Sequence, residues 1–342
     1  MILVTGGAGF IGSNFILDWL AHGDEPVVNY DKLTYAGNLD NLVPVQHDAR
    51  HIFVRGDISD RPLVETTLSQ YRPRAIVHFA AETHVDRSID GASAFVMTNA
   101  HGTFQLLEAV RHYWDALPPD EQAAFRFLHV STDEVFGTLG PNDAPFTENS
   151  RFAPNNPYAA SKAAADHLVR AWHCTYSLPT LTVNCSNNYG PRQYPEKLIP
   201  KMVAHALAGQ SLPIYGDGFQ IRDWLYVGDH CAALRRVLAA GMPGESYNIG
   251  GRCEQTNRHV IQAVCDLLDE FAPKAARGGA GSYRDQIIHV ADRPGHDRRY
   301  AIDTGKIERE LGWQPSMPFE RGLRETVRWY LQHRPENAAV CR

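Results

Sequence analysis

Two side chains one helical turn apart carry the sharpest chemistry in this sequence. Tyr158 and Lys162 stand four positions apart in Asn155-Asn156-Pro157-Tyr158-Ala159-Ala160-Ser161-Lys162. Asn156 suits a helix N-cap and Pro157 a first helical position, so the spacing puts Tyr158 and Lys162 on one face of a helix start. Tyrosine ionises near ~10 and is a poor base at neutral pH. A lysine ammonium one turn away and the positive end of the helix both favour the tyrosinate. Such a pair can take a proton from a sugar hydroxyl while hydride leaves the same carbon. Taken alone, Tyr-x-x-x-Lys is more often an ordinary surface pair, and the glycine loop at the start of the chain reverses that balance.

Upstream, Phe127-Leu128-His129-Val130-Ser131 reads as a strand that delivers Thr132, Asp133 and Glu134 at its C-terminal end. Open α/β sheets bind their ligands at that end. At the start of the chain, the apolar strand 2–5 runs into Gly6-Gly7-Ala8-Gly9-Phe10-Ile11-Gly12 and then a helical pattern. Glycines at 6, 9 and 12 permit a tight turn and let backbone N–H groups approach a pyrophosphate at the helix N-terminus. A second strand, 26–30, ends in Asp31, whose carboxylate suits the ribose hydroxyls of NAD and would repel the 2′-phosphate of NADP. Strand 51–55 leads into Gly56-Asp57-Ile58, beside the expected adenine pocket. Strand 75–79 ends in Ala80-Ala81-Glu82-Thr83-His84, where small residues let the backbone approach a cofactor. Thr98-Asn99 precedes a helix bearing Phe104, Leu106, Leu107, Val110 and Tyr113, apolar on more than one face and suited in part to another subunit. Phe10, Ile11, Lys32, Leu33, Thr34 and Phe79 join this set as candidate cofactor contacts. The strand–helix alternation predicts an α/β fold, a Rossmann-type doubly wound parallel sheet.

The bulk numbers restrict the alternatives. The chain has 342 residues, 21% charged and 44% hydrophobic, with a net charge of -6. That is room for one large or two moderate domains, and no basic block favours a nucleic-acid partner. Six cysteines show no Cys-x-x-Cys pair, and sixteen histidines show no metal-ligand spacing, so no metal is expected. The cysteines read as reduced buried thiols of a cytoplasmic protein. No apolar run reaches the ~18 residues of a membrane span, and Met1 leads straight into a strand, leaving no room for a signal peptide.

The second half has shorter elements: a strand at 180–185, a helix opening at Lys197-Leu198-Ile199-Pro200, a short strand at 212–215, a helix capped by Asp229, a strand at 247–249, a helix opened by Asn257, and a final amphipathic helix near 319–331. The stretch 274–282 reads as a mobile Gly- and Ala-rich loop. Arg222, Arg293 and Lys197 are candidate cations for a diphosphate, and Tyr215 a candidate stacking partner for a base. Each fits a solvated surface position as well. The expected division is 1–190 for the NAD-binding domain carrying the catalytic residues and 191–342 mainly for a smaller mixed α/β substrate domain, with the chain crossing between them.

Thr5 to Gly12 together with Tyr158-x-x-x-Lys162 resembles the extended short-chain dehydrogenase/reductase family. Within it, residues 31–38, 82–88, 131–135, 222–227 and 292–297 resemble the nucleotide-sugar 4,6-dehydratases, over nearly the whole chain. The resemblance implies catalysis by Thr132, Asp133, Glu134, Tyr158 and Lys162, with Thr132 also against the substrate, and places Asn188 near the nicotinamide. It implies that Asn187, Arg222 and Asn257 hold the diphosphate. Lys197, Leu198, Pro213, Ile214 and Tyr215 would surround a deoxynucleoside. His84, Asp292, Arg293, Pro294, Gly295 and His296 would line the rest. The substrate implied is dTDP-glucose, oxidised at C4, dehydrated across C5–C6 and reduced at C6 with bound NAD. The assembly implied is a homodimer through the helix after Asn99 and the helix carrying Tyr158. The loop 138–147 and the C-terminal tail look shorter than in many members. A 4-epimerase, a dehydratase of another nucleotide, and a non-catalytic NAD-binding scaffold are the alternatives. Adjacent residues on a strand point to opposite sides, so Asp133 and Glu134 reach one sugar only if the chain turns at Thr132.

Overall fold

The computed structural model describes residues 1–277 and 279–333. The predicted tail and Cys341 lie outside them. Seven parallel strands form the central sheet: β1 (Ile2–Thr5), β2 (Val27–Asp31), β3 (His51–Arg55), β4 (Ala75–His78), β5 (Arg126–Thr132), β6 (Thr180–Cys185) and, after β7 (Asn187–Tyr189), β8 (Leu212–Tyr215) and β9 (Ile221–Tyr226), β10 (Ser246–Ile249). Their order is β10-β6-β5-β4-β1-β2-β3. Neighbours diverge on either side of β1, and the crevice beyond the ends of β1 and β4 is the point where such sheets bind ligands.

Every residue of β1, β2, β4 and β6 is buried, polar ones such as Thr182 and Asn184 included, because helices cover both faces. Alternation sorts their side chains: Ile2, Val4, Val77 and Leu128 enter one core with Phe15 and Leu234, and Leu3, Val28, Ile76 and Phe127 enter the other with Leu107 and Val169. A third core, around Met202, Ile214, Trp224, Val264 and Leu323, supports the smaller sheets. These are β11 (Glu254–Thr256)-β9-β7 and the parallel pair β12 (Ile287–Val290)-β8.

The chain crosses residue 190 in both senses. β10 pairs with β6 in parallel. The helix Val227–Ala240 lies by the helix Phe10–His22, tied by Arg235 to Asp18 at 2.5 Å. Some local expectations change. Asp229 does not cap its own helix, because its carboxylate accepts from Ser316 N, Ser316 Oγ and Met317 N at 2.7–2.9 Å. Asn257 opens the next helix as expected, and Thr256 before it is the cap, accepting from His259 N at 3.1 Å. Lys274–Arg277 is a 3₁₀ turn, and Lys274 Nζ donates to Ser282 O at 2.7 Å. Among the five described cysteines Cys174 is exposed, since its helix turns that face to solvent. The segment 137–147 is tied down by Leu139 N to Arg299 O at 3.0 Å and Phe146 N to Ala301 O at 2.9 Å.

Candidate active site

β5 ends where the sequence requires it to. Thr132 is extended (φ -136°, ψ 154°) and the next four residues, Asp133–Phe136, form a 3₁₀ turn. The Thr132 hydroxyl caps that turn, accepting from Glu134 N at 3.3 Å. The turn breaks strand alternation, so both acids border the same cavity as Tyr158 and Lys162. Asp133 is 1% exposed. Thr132 Oγ1 donates to its Oδ1 at 3.4 Å, while its Oδ2 has no hydrogen-bond partner among the described residues. Burial first, then the charges of Glu134 and Asp223, push its carboxyl well above the usual range. Asn156 Nδ2 donates to Glu134 Oε2 at 3.5 Å.

The helix Pro157–Tyr176 starts as expected, with Asn156 Oδ1 accepting from Ala159 N at 2.8 Å. Tyr158 and Lys162 are both buried. Lys162 Nζ donates to Val130 O at 2.9 Å. Burial pushes the Tyr158 phenol well up, with the Glu134 charge adding to it and a hydrogen bond with the Thr132 side chain opposing it. The protein's own groups therefore hold Tyr158 protonated, opposite to the lowering expected from Lys162. An ionised Tyr158 requires further positive charge in the cavity. Asn99 braces the same helix. Its Nδ2 donates to Ser161 Oγ at 2.9 Å and to Glu82 O at 2.9 Å, and its Oδ1 accepts from Glu82 N at 2.8 Å. It sits in a π-helical segment, Val96–Gly102, of the sort found at functional sites.

The cavity extends over the ends of β1, β2 and β4. Gly6 has φ +72°, and a Cβ on Gly12 would lie 2.3 Å from Gly6 O. The loop therefore folds onto itself, with Gly9 N donating to Gly6 O at 3.2 Å, and leads directly into the N-terminus of the helix Phe10–His22, where backbone N–H groups suit a pyrophosphate. Asp31 is buried, its Oδ2 accepting from Ala8 N at 2.9 Å and its Oδ1 from Leu33 N at 2.7 Å. Lys32 pairs with Asp57 at 2.6 Å at the same end. Phe10, Ile11, Thr34, Ile58, Phe79, Ala80, Ala81, Thr83 and Thr98 line the cavity with them, as does Asn188 at its other end. Leu33 does not. It lies behind Asp31 with φ 57°, and its contribution is the N–H. A carboxylate at one end, a glycine cradle in the middle and Tyr158 at the far end suit an extended dinucleotide. Gly12→Ala is expected to cost about 1–3 kcal/mol, as overpacking does. A lowered thermal midpoint checks this, and an unchanged one would mean the cradle yields.

A second cavity adjoins through Thr83, Glu134, Asn187, Glu196 and Lys197, which border both. Arg222, Arg293 and Lys197, far apart in sequence, converge here with His84, Leu198, Pro213, Ile214, Tyr215, Asn257 and His296. The cations are partly engaged. Lys197 Nζ donates to Thr83 O at 2.6 Å, Arg222 to Ile221 O at 2.7 Å and Asp297 O at 3.0 Å, and Arg293 pairs with Asp86 at 2.9 Å. Tyr215 OH donates to Asp86 Oδ2 at 3.2 Å. His84 is held down at about 4, by burial first and Lys197 second. Asp292, Pro294 and Gly295 are not brought to the wall. Asp292 holds His296 Nδ1 at 2.5 Å, and Gly295 packs against Asn155 O, which a Cβ would approach to 2.9 Å.

Several residues of the site escaped the sequence reading. Asp86, Glu196 and Tyr300 line the second cavity, and Asn99, Asp166 and Asp223 stand behind the first. Only Asp166 had a local signal, a carboxylate four positions after Lys162. Among the described residues no cluster of His, Cys, Asp or Glu could hold a metal ion.

The family model described as GDP-mannose 4,6 dehydratase matches residues 3–326. The dTDP-glucose 4,6-dehydratase of Xanthomonas campestris pv. campestris (strain B100) is 60% identical over 329 residues, covering 96% of this chain and 92% of that one. A crystal structure of DesIV, the dTDP-glucose 4,6-dehydratase of Streptomyces venezuelae, solved with NAD bound, superposes with a TM-score of 0.88 at 47% identity over 97% of each chain. A UDP-glucose 4-epimerase of Thermotoga maritima shares the fold at 27% identity, with a TM-score of 0.83 over 97% of this chain and 98% of that one.

Proposed function

Because this chain belongs to the GDP-mannose 4,6-dehydratase family, we propose that it is the dTDP-glucose-specific kind, converting dTDP-glucose to dTDP-4-keto-6-deoxyglucose and water. The observation that carries this reading is the buried Asp133 beside Glu134, on a turn that faces the Tyr158 cavity. A 4-epimerase needs the tyrosine, the lysine and a small hydroxyl, and has no use for an adjacent acid and base.

NAD, when bound, accepts the hydride from C4 and supplies the one that reaches C6. Gly6, Gly9 and Gly12 would hold its pyrophosphate, Asp31 its adenosine ribose, and Asn188 its nicotinamide end. Tyr158 takes the proton of the 4-hydroxyl. The resulting 4-ketone acidifies the C5 proton, which Glu134 removes, and C5 regains a proton when hydride reaches C6. Asp133, kept protonated by burial and by its neighbours' charges, donates to the departing 6-hydroxyl. Arg222 and Asn257, with Asn187, hold the diphosphate, and Lys197, Leu198, Pro213 and Tyr215 surround the deoxynucleoside. Residues 1–190 supply chiefly the cofactor and catalytic groups, and the later segments chiefly the nucleotide-sugar pocket.

The active form in this reading is a homodimer. Ala160 and Ala164 lie exposed on the helix that carries Tyr158, and Val96 and Met97 are 51% and 53% exposed on the segment before the helix Thr103–Asp115. Small and apolar residues on two neighbouring helices suit close helix packing. Among the described residues no helix is long and apolar enough to cross a membrane, and the cytoplasm is the proposed site of action.

Incubation with dTDP-, UDP-, GDP- and CDP-hexoses should give the alkali-induced ketone chromophore fastest with the dTDP sugar. Preference for another nucleotide would overturn the substrate assignment. NAD should also survive purification, since the cycle consumes none. Denaturation should release it into the supernatant, and an empty supernatant with a strict need for added NADP+ would refute the role of Asp31.

A further inference from the structure

Lys162 is 5% exposed, and its Nζ meets one carbonyl, Val130 O. An ammonium so placed needs a counter-charge. One helical turn further on stands Asp166, also 5% exposed. Its Oδ1 accepts from His129 Nε2 at 3.0 Å, and its Oδ2 from Ser131 Oγ at 2.9 Å and Asn184 Nδ2 at 3.1 Å. His129 and Ser131 flank Val130. The same three residues of β5 thus hold the ammonium through the central carbonyl and the carboxylate through the two outer side chains.

We propose that Asp166 is the counter-ion that keeps Lys162 charged, and so a positioning residue for the Tyr158 base. The proposal rests on Tyr158 acting as that base. The groups facing the pair are His129 on β5, His78 on β4, Cys185 on β6, and Tyr158 and His167 on the helix itself. Burial pushes both His78 and His129 well down, so they stay neutral, and pushes the Cys185 thiol up to about 12. Of these groups, Asp166 alone brings a carboxylate. Its own carboxyl is pushed up to about 6 by burial, against the Lys162 charge and the Ser131 and Asn184 hydrogen bonds. It is therefore ionised at neutral pH and above. Burial lowers Lys162, and the Asp166 charge is the leading influence against that. A plain helix-to-sheet staple would need the three hydrogen bonds but not the charge.

The test titrates Lys162 by NMR of side-chain-labelled lysine in the enzyme as purified, using Lys162→Arg as the blank in each background. Asp166→Asn keeps the shape and removes the charge, so Lys162 should lose its proton at a midpoint lower by about one pH unit or more, since loss of a nearby opposite charge shifts a buried group on that scale. Asp166→Glu keeps the charge and should move the midpoint by less than about half a unit. A folded Asp166→Asn with the wild-type Lys162 midpoint overturns the proposal alone. Unchanged turnover in Tyr158→Phe overturns the base reading, and the positioning role with it. Should Asp166→Asn not fold, Asp166→Glu carries the test. It disturbs three hydrogen bonds while keeping the charge, so a midpoint moved by a full unit would overturn the proposal.

Discussion

Tyr158→Phe is expected to lower turnover by about 10²–10⁴-fold, the usual cost of losing a positioned acid–base group, with the fold and nucleotide binding intact. The ring packs edge-on to Phe95, with centroids 6.4 Å apart, and phenylalanine preserves that contact. The hydrogen bond from Tyr158 N to Ser88 Oγ at 3.2 Å is made by the backbone and also survives. What disappears is the hydroxyl that meets Thr132. The pH dependence has a definite sign. A base works in its ionised form, and burial holds this phenol high, so the wild-type rate should climb with pH along an acidic limb and fall as Tyr158 takes its proton. The phenylalanine variant should lose that limb together with the rate. Steady-state rates across pH, with gel filtration and a thermal melt as controls, check both. Unchanged turnover would remove Tyr158 from the mechanism.

How much of this was legible beforehand depended on the distance over which each contact closes. The glycine cradle and the Asn156–Pro157 helix start are set by residues within a few positions of one another, so spacing alone identified them. Asp31 could be placed because a strand end fixes its location, yet its bonds to Ala8 and Leu33 could not be read. The convergence of Arg222, Arg293 and Lys197 was beyond spacing, because three separate elements bring them together. Asp229 misled for the same reason. A carboxylate in a first helical turn normally serves its own helix, but here the N–H groups of Ser316 and Met317 win it from 87 and 88 residues away. The π-helical turn at Asn99 has no compositional signature, since the residues that stabilise it, Glu82 and Ser161, lie on other elements. Spacing identifies Lys162 but not the state of Tyr158, because burial is a tertiary property and it drives the phenol up.

Asp133→Asn and Glu134→Gln should separate the two halves of the reaction. Elimination needs one carboxyl that donates to the leaving hydroxyl and one that accepts the C5 proton. Adjacent carboxylates resist double ionisation, so they share that task readily. The structure differentiates them. Asp133 is sealed from solvent, with Oδ2 unpartnered and the charges of Glu134 and Asp223 nearby, so it keeps its proton. Glu134 is less buried, borders both cavities and, among the described residues, makes its one side-chain hydrogen bond with Asn156. Both substitutions keep the Tyr158 hydroxyl and take away only charges that hold its phenol up, so C4 oxidation should persist in both. In Asp133→Asn the 6-hydroxyl lacks its acid. The 4-keto sugar nucleotide and reduced cofactor should accumulate, and the 6-deoxy product should form about 10²–10⁴-fold more slowly. In Glu134→Gln the C5 proton lacks its base, and little solvent deuterium should enter C5. Mass spectrometry of material formed in deuterated water reads the exchange, and absorbance of the reduced nicotinamide follows the stalled intermediate. If both variants yield 6-deoxy product at the wild-type rate with full deuterium at C5, the acid and base lie elsewhere. An exchange that stops in Asp133→Asn but continues in Glu134→Gln would instead reverse the two roles. Burial argues against that reversal, because a proton acceptor must be ionised and Asp133 is the carboxyl the fold keeps neutral.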